Sequence, residues 1–364
     1  MRHCNEHDYS VPLFGKEGLG EIFEYGSFIP LGRKYMKRAM AAVFAISLIL
    51  ATCASAQDLE KAKKEGRLVF YTSWGLSDAD YVIKAFEKKY PFLKVELVRS
   101  TSEKTLNRLL TEHRAQSFLG DVVAISGIQS GILQARGILD RYPSSESANF
   151  PSTWVDPQGY SFGLHQTIYV MGYNTRLVSP SAAPKEYEDL LDPRWKGQLG
   201  WETEEYYFFG AFLKLRGKPK GLEFWRRLAA QKINFRNGYS LLAELVSAGE
   251  FPVAVSLYQH RVDEYIDKRA PVQSVVTNPV IGGDPNRISL LKGASHPQAA
   301  KLFIDFMLSL EGQKLLQDRG RSPGRIGLGP KNPRLKGVKI YTSHFNTEEY
   351  EQLGKEFKEV FKID

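Results

Sequence analysis

From Arg67 onward the apolar positions alternate between two periods. Leu68-Val69-Phe70-Tyr71 is a short β-prone run ending at Thr72-Ser73-Trp74-Gly75, as a buried strand does. Val82, Phe86 and Tyr90 then recur four apart on one helical face, with Ser77 and Asp80 as its expected cap and Pro91 as its stop. Val95-Glu96-Leu97-Val98 reads as a second strand, and Leu106, Leu109, Leu110 and His113 stripe a second helix. Asp121 to Ile125 is a third strand, followed at Gly127 by a helix through Leu133. Strands alternating with helices of this length predict βαβ units and a parallel sheet. Ligands of such sheets sit beyond the carboxyl ends of the strands, which places Ser73-Trp74-Gly75 and Ser126-Gly127 at a binding edge.

After a Pro/Ser-rich connection the alternation resumes. Thr167 to Asn174 and Gln198 to Trp201 read as strands. Helices are expected over Tyr207–Leu215, Gly221–Ala230 and Ser240–Ser247. Val253-Ala254-Val255-Ser256 and Val275 to Pro279 read as extended. A last helix opens at His296-Pro297 and buries Leu302, Phe303, Phe306 and Met307. There is no internal repeat.

Ahead of this body, Lys34, Lys37 and Arg38 precede an apolar run from Ala39 to Ala51 and then Ala54-Ser55-Ala56. That order is a secretory signal peptide over residues 36–56, cleaved after Ala56, with Met36 as the expected start and residues 1–35 as translated upstream sequence. Export to the periplasm follows, with lipid attachment at Cys53 as the competing outcome. The chain has two cysteines, Cys4 and Cys53, so its exported part holds no disulfide, thiolate metal site or cysteine nucleophile. Net charge is +8, but Lys61, Lys63 and Lys64 sit beside Glu60 and Glu65. Dispersed charge without a basic, aromatic-laced run gives no nucleic-acid surface. The exported part has no His-x-x-x-His pair, and no recognisable triad surrounds His113 or His165, so no enzyme is expected.

Pro184-x-x-Tyr187-x-Asp189-Leu190-x-Asp192-Pro193-x-Trp195-Lys196-Gly197 resembles the signature of the extracellular solute-binding proteins of ABC importers, in their ferric-iron-type branch. Gly120-Asp121-Val122, Gly172-Tyr173-Asn174-Thr175, Ala248-Gly249-Glu250 and His296-Pro297-x-Ala299-Ala300 match in the same order, from about Leu68 to Leu316. The resemblance implies an α/β fold of two lobes, the type II periplasmic binding protein, with crossing hinge strands near Gln166–Asn174 and Val275–Ile281. Lobe I would combine residues 57–165 and 282–364, with the C-terminal helices, and lobe II would be residues 166–281. The implied function is capture of a small solute and delivery to an inner-membrane permease, by a monomer without a cofactor. A subunit presenting solute to a membrane sensor would carry the same sequence.

The branch's iron binders hold ferric ion with adjacent tyrosines, a histidine and a carboxylate. Here the tyrosine run falls at Tyr258-Gln259-His260, and the other two positions fall near Gly75 and Ser126. Tyr258 is then the best iron candidate, with iron binding kept as the alternative and no metal expected. The preferred ligand is anionic or zwitterionic. Thr72, Ser73, Trp74, Ser126 and Gly127 would meet it at strand–helix junctions. Arg236 and Asn237 would hold its anion, and Glu202, Tyr207, Tyr258 and His260 would complete the site.

Overall fold

Two mixed sheets carry the chain, and the computed structural model describes residues 58–363. The expectations for residues 1–35, the 36–56 signal, Cys4 and Cys53 therefore lie outside the described residues. Helix α1 (residues 58–65) leads into β1 (Arg67–Thr72), α2 (Leu76–Lys89), β2 (Lys94–Arg99), α3 (Ser102–Arg114), β3 (Val122–Ile125), α4 (Gly127–Ala135) and β4 (Leu139–Asp140). With β5 (Phe162–Gln166), β12 (Asn286–Leu291) and β13 (Ser322–Pro323) these strands form the lobe I sheet, in the order β13-β5-β12-β3-β1-β2 with β4 beside β12. The βαβ units pair in parallel as expected, β1 with β2 and β3. The sheet as a whole is not parallel, because β12 runs antiparallel to β3 and β5.

The sequence reasons for these helices are visible at their ends. Thr101 caps α3 by accepting the Lys104 N–H at 3.2 Å. Helix α2 has Gly75 as its N-cap and no side-chain cap, correcting the assignment to Ser77. The Ser77 hydroxyl instead accepts a bond from Arg319 at 3.2 Å. One face of the sheet buries Val82 and Phe86 of α2 against Phe303 and Phe306 of α9 (Pro297–Leu308). The other face buries Leu106 and Leu109 of α3 with Leu133 of α4.

Lobe II contains β6 (Tyr169–Asn174), β7 (Leu199–Glu202), α5 (Tyr206–Arg216), α6 (Lys218–Ala229), β8 (Asn234–Arg236), α7 (Tyr239–Ala248), β9 (Val253–Tyr258), α8 (Gln259–Asp267) and β10 (Val272–Val275). Its sheet runs β10-β6-β9-β7-β8. The Asp192-Pro193-x-Trp195 motif forms a 3-10 turn: Asp192 caps it, Trp195 is buried, and Gly197 takes φ +74°. Its role is local.

The lobes are joined where β5 passes into β6 and where β11 (Val280–Gly282) passes into β12. These crossings touch: Ile168 bridges Gly282, and the Gly283 N–H donates to Thr167 O at 2.8 Å. After α10 (Leu310–Asp318) the chain crosses a third time. β14 (Ile340–Thr342) pairs in parallel with β11, and α11 (Thr347–Phe361) packs on lobe II. This corrects the placement of residues 282–364 wholly in lobe I. Phe357 and Phe361 lie 5.2 and 5.1 Å from Trp201, which itself stacks on Trp225 at 5.0 Å, so α11 belongs to the lobe II core.

Candidate functional site

Between the lobes lies a cleft of about 530 Å³. Lobe I contributes the β1–α2 junction (Ser73, Trp74, Gly75), the start of α3 (Thr101 to Lys104) and Ser126. Lobe II contributes Glu202, Glu204 and Glu205 before α5, Asn237 to Leu241 around the start of α7, and Tyr258 and His260 at the end of β9. Of the residues expected at the site, Ser73, Trp74, Ser126, Glu202, Tyr207, Asn237, Tyr258 and His260 line this cleft.

Three do not. The Thr72 hydroxyl is fully buried, donating to Ala124 O at 2.9 Å and accepting the Trp74 N–H at 3.2 Å, so it fixes the junction. Gly127 lies behind the wall, and a Cβ there would collide with the Asp284 carboxylate. Arg236 faces away: its guanidinium bonds Glu250 at 2.6 Å and lies 5.1 Å over the Phe251 ring.

Three arginines line the cleft, Arg99, Arg261 and Arg321, all missed by sequence reasoning, and Arg321 is the most buried. It stands in the Asp318-Arg319-Gly320-Arg321-Ser322-Pro323 segment, after the last helix that periodicity revealed. It is 5% exposed, donates to Asp78 at 2.6 Å and to His165 Nε2 at 2.9 Å, and lies 5.1 Å from the Trp74 ring. Its Nε has no partner among the described residues. Asp78 also accepts from Arg319 at 2.8 Å and from Arg261 of lobe II at 2.9 Å, so one carboxylate ties both lobes. Burial pushes Asp78 upward, but Arg321 and Arg261 outweigh it and hold the carboxyl far below the usual range. His165 and His260 are held neutral by burial and by Arg321.

Gly75 has a reason here: a Cβ would strike the Arg261 guanidinium, which closes over the start of α2. The Trp74 indole is fixed by donation to Asn286 Oδ1 at 2.9 Å. Ser126 bonds Gln129, Gln129 bonds Glu103, and the Gln129 amide reaches the Tyr350 hydroxyl of α11 at 3.4 Å.

The lobe II wall is acidic and aromatic. Glu202 accepts the Gly238 N–H at 3.0 Å and the Glu204 N–H at 2.5 Å, and Glu205 accepts the Phe208 N–H at 3.0 Å. Burial pushes Glu202 up to about 7 and holds Glu205 well above the usual carboxylate range. Tyr239 stacks on Tyr258 at 3.8 Å, and Tyr169 meets Tyr258 edge-on at 5.5 Å. The Tyr207 hydroxyl is used by the hinge, donating to the Ser343 carbonyl at 2.8 Å, with the Gly282 carbonyl at 3.1 Å as the alternative acceptor, and accepting the Ser343 N–H at 3.2 Å. Among the described residues no group of three or more His, Cys, Asp or Glu side chains is placed to hold a metal ion.

Two α/β lobes joined by crossing strands around a cleft make the type II periplasmic binding protein fold. Residues 81–331 match the family described as bacterial extracellular solute-binding protein, and the chain belongs to that family. It is a solute-binding protein of the kind that serves ABC importers. It is similar to the Fe(3+)-binding periplasmic protein of Serratia marcescens, 26% identical over 209 residues, 51% of this chain and 59% of that one. Iron-bound HitA from Pseudomonas aeruginosa superposes with a TM-score of 0.70 at 21% identity, over 81% of this chain and 99% of that one. AfuA from Actinobacillus pleuropneumoniae, with fructose-6-phosphate bound, gives 0.69 at 23%, over 82% and 97%. At these identities the solved structures speak for the fold alone. Among the described residues no helix is long and apolar enough to cross a membrane.

Proposed function

We propose that this protein is an exported, monomeric receptor that captures a small anionic or zwitterionic solute between its lobes and hands it to a membrane permease. The observation that carries the reading is Arg321, a cleft-lining cation at 5% exposure whose Nε lacks a partner among the described residues. A buried guanidinium with an unused donor is suited to a carboxylate or phosphate. Ser73, Thr101 and Ser126 on the same wall add hydroxyls. A thermal-shift screen against carboxylates, phosphonates, sugar phosphates, polyamines and ferric citrate tests this. A true ligand at 100 times its Kd adds about 2.7 kcal/mol of stability. Silence from every anion would sink the reading.

Ferric ion is the second reading, favoured by five tyrosines on the cleft: Tyr169, Tyr207, Tyr239, Tyr258 and Tyr350. Sequence reasoning found only Tyr258 and Tyr207. Burial and nearby carboxylates hold the Tyr169 and Tyr258 phenols well above their ordinary value, which opposes phenolate formation. No visible tyrosinate charge-transfer band is expected after incubation with ferric citrate. A coloured complex abolished by Tyr258→Phe would establish iron instead.

A further inference from the structure

We infer that the lobe II wall of the cleft is an ammonium subsite, formed by Glu205 and Glu202 within a box of tyrosines, and that the solute is a zwitterion. The inference rests on the anionic-solute reading above and adds the second charge.

Glu202 and Glu205 are 6% and 4% exposed, and both line the cleft. Neither pairs with a lysine, arginine or histidine among the described residues, whereas the equally buried Asp78 on the opposite lobe is paired with three arginines. Burying an uncompensated carboxylate costs several kcal/mol, and two within one turn add their mutual repulsion. Helix capping accounts for part of this, since Glu205 caps α5. It does not account for the burial, because a shorter Asp, Ser or Asn would cap as well. Nor does it account for Glu202, which lies in β7.

The surroundings supply the second observation. Tyr169, Tyr239 and Tyr258 pack ring on ring beside these carboxylates, and no lysine or arginine among the described residues lies over any of the three. Carboxylates beside aromatic faces attract an organic cation both by charge and by the ring quadrupole. Burial pushes both carboxyls upward, with the Glu204 charge adding to it at Glu202 and the Glu202 charge at Glu205, a cost that an incoming ammonium relieves. Glu202, Glu205 and Arg321 all act electrostatically on Tyr258, and all four residues line the same cleft, so it holds both an acidic and a basic pole. A compact molecule with an anionic group and an amine matches that pattern. A sugar phosphate leaves the acidic wall unanswered.

The test is calorimetric titration of the purified protein with isosteric pairs that differ by ammonium against methyl. The pairs are phosphoethanolamine with n-propyl phosphate, β-alanine with butyrate, and γ-aminobutyrate with pentanoate. In at least one pair the amine should bind about tenfold tighter or more, as for a charged hydrogen bond. Glu205→Gln keeps the acceptor for Phe208 and should bring that pair within about threefold without weakening the methyl member. Should that variant fail to fold, Glu202→Gln and the wild-type heat in buffers of different ionisation enthalpy replace it, with proton release expected only for the amine. Equal affinities in every pair, preference for the methyl members, or no binding by any amine would overturn the inference. Tight binding of n-propyl phosphate without preference leaves the anionic-solute reading standing, and silence from every probe removes both.

Discussion

Asp78 and Glu202 are buried acids with opposite fates, and their neighbours decide which. Three guanidiniums surround Asp78, so its folded value lies below its unfolded one. Its contribution is present above about pH 4 and is lost as pH falls through the folded value. Asp78→Asn should cost roughly 3–5 kcal/mol in urea denaturation at pH 7, because it leaves buried charge unpaired. The gap from wild type should narrow below about pH 4. Glu202 faces Glu204, Glu205, Tyr206 and Tyr258, and burial raises it to about 7 from 4.5. A raised carboxyl contributes stability below its unfolded value and loses it as pH rises through the folded one. Between pH 4.5 and 7 Glu202→Gln should therefore flatten the fall in stability seen in the wild type. A parallel fall in both proteins would clear Glu202. Arg236→Ala should leave solute affinity unchanged and cost about 1 kcal/mol or less, since its pair with Glu250 is half exposed. Residue types were a fair guide to the cleft at Ser73, Ser126 and Tyr258. They failed at Arg236 and Arg321 because the direction of a side chain is set by strand parity and hinge geometry.

Among the elements, those that build one half of a single sheet were legible: β1 to β3 with α2 to α4, and α9, each with a clean period of two or about 3.6. Helix α8 and strands β8, β13 and β14 were not, because short strands and a helix with a polar majority give weak patterns, and β12 opens on polar Asn286 and Arg287 without a clean alternation. Helix α11 is strongly amphipathic, but amphipathicity does not say which lobe receives its apolar face. Phe357 is fully buried among Trp201, Phe209 and Phe235. Phe357→Ala should cost about 3–5 kcal/mol in chemical denaturation. A cost under about 1 kcal/mol would mean that α11 is only loosely attached to lobe II.

The whole molecule is held in its present arrangement by side chains that cross the cleft, above all Arg261 of lobe II reaching Asp78 of lobe I. Arg261→Ala should shift the lobes apart, read as a larger radius of gyration in small-angle scattering. An unchanged radius would assign the arrangement to the hinge strands alone. The third crossing has a consequence for how the chain is made. Lobe II is begun by residues that emerge in mid-chain and completed by α11, which emerges only after the second part of lobe I. Until then Trp201, Trp225 and Phe209 have no cover on the side α11 takes. A chain from which Thr347–Phe361 has not yet emerged therefore presents a sticky, half-built lobe. A chain cut short before Thr347 is left in that condition, recognisable to proteases and holding chaperones and unable to compete for solute. Closure of the lobe II core and the emergence of α11 become one event.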